Sequence, residues 1–138
     1  MKYLLLFLAL AIAASSVRAT ESSSFCPNGR TQAELDDCAA KAAKAAVASL
    51  EQFYVVYIKR LSPEQAQLFQ VANADWLRYR DSYCKFESSA VQGGSVYPMI
   101  FDLCIESQSY KRLQDLRKLS RCTEGDLSCP AFSTSMPD

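Results

Sequence analysis

The chain has 138 residues, with 15 basic and 15 acidic side chains, six cysteines and no histidine. That length supports one domain with one core. Balanced charge excludes the basic footprint of a nucleic-acid binder, and the missing histidine removes the commonest general base and metal ligand.

Residues 1–19 read as an export signal. Lys2 supplies the positive end, residues 3–17 form an uncharged run of 15, and Val17-Arg18-Ala19 offers small residues for cleavage. The run is shorter than the ~20 residues that span a bilayer. Cleavage is therefore expected, leaving no stable membrane anchor. It would take away Lys2 and Arg18 and leave 13 basic residues against 15 acidic ones. All six cysteines stay in the product. An even number in an exported chain points to three disulfides rather than a metal site.

The first helix is expected to open at Thr31, because Thr31-x-x-Glu34 is a capping box. Leu35, Ala39, Ala42, Ala46, Leu50, Phe53, Tyr57 and Leu61 then recur every three or four residues. Small alanines on this face let neighbours pack closely. Ser62-Pro63 ends the helix and starts the next, with Ser62 as cap and Gln65 completing a second capping box.

The second helix is expected over residues 63–90, with Leu68, Ala72, Trp76, Tyr79, Tyr83, Phe86 and Ala90 as its buried stripe. Asp81 and Lys85 are spaced for an ion pair, and Arg80 can lie over the Trp76 indole. Tyr54, Phe69 and Tyr97 fall outside the stripes and are expected at the surface. Gly93-Gly94 reverse the chain. Pro98 sits in the first turn of a third helix that runs to residue 119. Its first half, residues 99–105, is apolar on almost every side and is expected to be sandwiched between the first two helices. Asp102 and Glu106 share its remaining side.

The fold class is therefore all-α: an antiparallel three-helix assembly over residues 20–119, stapled by disulfides. Residues 120–138 form a disulfide-closed loop and a frayed tail. Cys84 and Cys104 lie at similar distances on either side of the glycines, so a reversal there brings them level and pairs them. Cys26–Cys38 and Cys122–Cys129 follow from proximity alone.

Trp76-x-x-x-Arg80-Asp81-x-x-Cys84, then Gly93-Gly94-Ser95, Tyr97-Pro98, Cys104 and Arg112-x-x-x-Leu116, form a long, specific pattern. It resembles the LprI-type lysozyme inhibitor family across residues 26–119. The resemblance implies a small exported helical domain of bacteria, periplasmic or secreted, that binds and inhibits lysozyme and so protects the cell wall. No cofactor is implied. Catalysis is not expected, because the serines have no readable partner arrangement, paired cysteines are not nucleophiles, and Asp75, Asp81, Asp102 and Glu106 read as solvated acids. The alternative is a structural or adaptor module of the cell envelope that holds another protein.

For an inhibitor, the expected contact is the reversal loop, Gly93-Gly94-Ser95-Val96-Tyr97. A protruding turn suits an enzyme cleft, and glycines allow close approach. Ser95 and Tyr97 would offer hydroxyls to carboxylates in the cleft, with Asp102 and Glu106 facing a basic rim. The plainer expectation is that Ser95 caps the third helix and Tyr97 packs on the core.

Overall fold

A computed structural model describes Cys26, residues 29–122 and residues 125–130. The export signal expected at residues 1–19 and the tail expected beyond residue 130 lie outside the described residues. Within them every regular element is helical: α1 (Gln32–Ile58), α2 (Pro63–Glu87), a one-turn 3₁₀ helix (Ser89–Val91) and α3 (Tyr97–Leu119). At 1.5 Å per residue the three long helices measure roughly 40, 38 and 35 Å.

Local chemistry sets the helix ends. The Glu34 N–H donates to Thr31 Oγ1 at 3.2 Å, and the Glu34 carboxylate accepts from the Thr31 and Arg30 N–H groups at 3.0 and 2.8 Å. Those two backbone bonds hold the Glu34 carboxyl below the usual carboxylate range. A Cβ on Gly29 would stand 2.5 Å from Leu35 Cδ2. The lead-in thus presses on the first turn of α1, and Cys26 closes on Cys38 with the Cα atoms 6.1 Å apart.

α1 stops at Ile58, and Leu61 is buried in the turn that follows. Ser62 then caps α2, accepting from the Gln65 N–H at 3.3 Å, while its own hydroxyl donates to Glu64. α2 ends three residues earlier than expected. The Ser88 hydroxyl donates to the Cys84 carbonyl at 2.7 Å and the chain tightens into the 3₁₀ turn.

α3 is the hub: it runs closely along α1 and, over a shorter stretch, along α2. Ala39 and Ala43 are buried, so the alanine-rich part of α1 is its close-packed face. One cluster joins Ala43, Cys84, Cys104 and Ile105, flanked by Val47, Tyr83 and Phe101. The other joins Leu50, Leu113 and Leu116, flanked by Phe53, Phe69 and Trp76.

The expected inward stripe of α2 is corrected. Cys84 is the α2 residue that is fully buried, while Leu68, Ala72, Tyr79, Phe86 and, just beyond the helix, Ala90 face solvent. Phe86 is 76% exposed. α2 lies at the edge of the assembly, so its inward line is narrow and follows Phe69, Asn73, Trp76, Arg80 and Cys84. Arg80 is tolerated there because it is paired. Its guanidinium bonds Asp81 at 2.7 and 2.9 Å, which replaces the expected Asp81–Lys85 pair. The residues expected at the surface are corrected too. Tyr54 stacks on Phe69 at 4.9 Å, and Tyr57 meets the edge of the same ring at 5.2 Å, tying α1 to α2 beside their turn.

Candidate functional site

The reversal loop stands on a covalent base. Cys84 and Cys104 are bonded, their Cα atoms 5.5 Å apart, and both are buried. Above them the Gly94 N–H donates to the Val91 carbonyl at 3.0 Å and the Tyr97 N–H to the Gly94 carbonyl at 3.2 Å. Gly93 has φ +81°, in the left-handed region, while Gly94 does not. Gln92, Gly93, Gly94 and Ser95 are all exposed.

Ser95 does not cap α3. The cap position is Val96, in a helical conformation with no side-chain bond, and Pro98 in the first turn needs no N–H partner. The Ser95 hydroxyl is therefore free of that duty. Tyr97 is half-buried and stacks on Phe101 at 6.0 Å.

Asp102 and Glu106 are half-buried on α3. Asp102 lies five residues from Tyr97 and Glu106 nine, roughly 7 and 13 Å along the axis. The structure thus groups Gly93, Gly94, Ser95 and Tyr97 at one end and sets the two acids progressively behind them. Burial, and then the neighbouring Asp36 of α1, push the Asp102 carboxyl above the usual carboxylate range. Among the described residues, neither Asp102 nor Glu106 makes an ion pair.

A second constellation joins parts of the sequence pattern that looked separate. Arg80 lies over the Trp76 ring at 5.4 Å and Arg112 at 5.7 Å. Arg80 Nη1 also reaches Ser109 Oγ at 3.5 Å, and Leu116 packs in the cluster that Trp76 flanks. Arg112 Nε is buried without a hydrogen-bond partner, and burial pulls this guanidinium below its ordinary value. The place of Arg112 was missed in the sequence, although its signal is there. Trp76 is eight residues before Cys84 and Arg112 eight after Cys104, so the disulfide that levels the cysteines levels these two as well. The cluster is an internal latch between α2 and α3. It accounts for the Trp/Arg/Asp motif without a ligand.

All six cysteines are in disulfides, the third being Cys122–Cys129. Among the described residues, no group of three or more acidic or cysteine side chains is arranged to hold a metal ion. No helix among them is long and apolar enough to cross a membrane.

The family model described as lysozyme inhibitor LprI matches residues 26–116, well over half of the chain. The chain belongs to this family. The match begins at the first cysteine and ends at Leu116, so it takes in the bridged lead-in to α1, the bridged α2–α3 reversal and the whole Trp76 latch. An uncharacterized protein of Rhizobium meliloti (strain 1021) is 25% identical over 112 residues, covering 72% of this chain and 81% of that protein. No solved structure matches.

Proposed function

We propose that the protein acts outside the cytoplasm as a non-catalytic inhibitor that binds lysozyme through the reversal loop. The observation that carries this reading is membership of a lysozyme-inhibitor family across nearly all of the described helices. Three disulfides suit an oxidising compartment. The loop is short, exposed and pinned from below by Cys84–Cys104, so presenting it to a cleft costs little ordering entropy. Gly93 and Gly94 allow close backbone approach, and Ser95 and Tyr97 offer hydroxyls.

Asp102 and Glu106, with Asp36 of α1 near Asp102, place acidic groups behind the loop. An ionised Asp102 is disfavoured where it stands, and a lysine or arginine from a basic partner would relieve it. Purified oxidised protein is expected to slow the lysis of a cell-wall suspension by a c-type lysozyme. A Ser95→Ala, Tyr97→Ala double variant with an unchanged melting temperature should inhibit less well. Equal inhibition by this variant would leave the loop a mere connection. A parent that never inhibits would hand the protein to the second reading, an envelope adaptor, which the exposed Leu68, Val71, Tyr79 and Phe86 on α2 favour.

A further inference from the structure

We propose that the groove between α1 and α2 is a docking site for a basic amphipathic helix. The two helices touch beside their turn through Tyr54, Tyr57 and Phe69. Farther along, α2 leans on α3, and a cleft of about 360 Å³ remains between α1 and α2. Its apolar walls are Val47, Leu50, Tyr54 and Val55 of α1 and Leu77 of α2. Val55 is 53% and Leu77 37% exposed, so the cleft opens to solvent.

The form of the occupant follows from the walls. Both are helices whose peptide groups are bonded internally, so neither offers backbone donors or acceptors to a guest. An extended segment would bury unpaired N–H and C=O groups, whereas a helix brings its own bonds satisfied. The α1 wall residues recur at helical spacing along about 12 Å, two turns of a guest helix laid alongside. A helix seated there would stand opposite α3 and complete a four-helix arrangement. The volume lies at the small end of ligand sites. It suits a few aliphatic anchors inserted from a helix lying across the mouth.

The charge follows from the polar rim. Arg80 is one rim residue, but its guanidinium is already matched by Asp81 and lies over Trp76. Glu51, on the opposite wall, is exposed and makes no ion pair among the described residues. The remaining rim residue, Asn73, is neutral. One uncompensated negative charge thus borders an apolar cleft, and its complement is a lysine or arginine beside apolar anchors. This site is separate from the reversal loop and does not depend on lysozyme being the partner.

Trp76, the chain's single tryptophan, is a built-in reporter, because Arg80 both lines the cleft and covers its ring. The probe is a blocked Leu/Lys peptide of about 14 residues with leucines on one helical face, long enough to hold a helix on binding. Its control replaces every lysine by glutamate. The Leu/Lys peptide is expected to bind the oxidised protein saturably, one to one, with a change in Trp76 emission. Peptide-induced amide shifts in the unmutated protein should fall on residues 47–55 and 73–80. Val55→Asp and Leu77→Asp should each weaken binding roughly tenfold, the loss expected when an anchor pocket acquires a buried charge. Glu51→Lys should weaken it severalfold. Phe86→Asp, on the outer face of α2, should change nothing. No saturable binding, equal affinity for the Leu/Glu control, or shifts confined to the outer face of α2 would each overturn the proposal. The amide map decides the matter even where an aspartate variant fails to fold. A Ser95→Ala, Tyr97→Ala variant that loses lysozyme inhibition yet binds the peptide separates this site from the loop.

Discussion

Gly93 and Gly94 are adjacent and equally open to solvent, yet alanine should be costly at the first and nearly free at the second. At Gly93 an added Cβ meets nothing within 4 Å, so the cost is purely conformational. Its φ of +81° lies where a Cβ crowds the following carbonyl, a penalty of about 1–2 kcal/mol. Against this, alanine makes the unfolded chain stiffer and returns about 0.4–1 kcal/mol. The net loss is about 1 kcal/mol, a fall in melting temperature of roughly 4–8 °C for a domain near this size. Gly94 receives the same return without the left-handed penalty. Its Cβ would lie 3.2 Å from the Val91 carbonyl oxygen, which also accepts the Gly94 N–H, so a small shift of that carbonyl offsets part of the gain. Its net change should stay within about 0.5 kcal/mol. Far-UV circular dichroism melts of both variants under oxidising conditions test the ranking. Gly93→Asn should recover part of the loss, since asparagine tolerates the left-handed region. A wild-type melt for Gly93→Ala refutes the reasoning, as does a larger loss at Gly94.

Asp102→Asn should raise stability at neutral pH. The folded-state pKa of Asp102 lies above its unfolded value, so its favourable contribution is fully present below the unfolded pKa and is lost as pH rises through the folded one. Urea melts should show the advantage of the asparagine variant at pH 7 and its disappearance in acid below the ordinary aspartate range. Replacing Cys84 and Cys104 together by alanine reopens a loop of 20 residues and should cost roughly 3 kcal/mol in the same assay. Arg112→Met keeps the packing on Trp76 while removing a charge whose Nε has no partner, so its cost should stay within about 1 kcal/mol. Arg80→Met forfeits the bonds to Asp81 and Ser109 and should cost about 2 kcal/mol, the larger of the two in paired melts.

What was legible in the sequence was what local chemistry decides. Thr31-x-x-Glu34 and Ser62-Pro63 mark the helix starts because each cap is settled within four residues. The two glycines mark the reversal because one of them must bear a positive φ. The inward face of α2 was not legible. Tyr79 and Phe86 fit a buried stripe by spacing, but an edge helix has no neighbour on that side. Its true inward line includes the polar Asn73 and Arg80, and Arg80 reaches Ser109 of α3, a contact that spacing along α2 cannot show. The surroundings of Asp102 were hidden for a related reason, since meeting Asp36 depends on how α3 is set against α1. That Ser95 leaves the cap of α3 to Val96 turns on a helix start one residue later than turn chemistry suggests.

The six cysteines pair consecutively, first with second, third with fourth and fifth with sixth, at separations of 12, 20 and 7 residues, and no bridge encloses or crosses another. For a polypeptide that meets an oxidant from its N-terminal end, this order has a kinetic meaning. When Cys38 arrives, Cys26 is the sole earlier thiol. Once those two are joined, Cys84 waits alone for Cys104, and Cys122 for Cys129. Coupling thiols in order of arrival therefore yields the native connectivity directly, out of the many that six cysteines allow. Coupling in that order would require an electron acceptor but no thiol–disulfide isomerase.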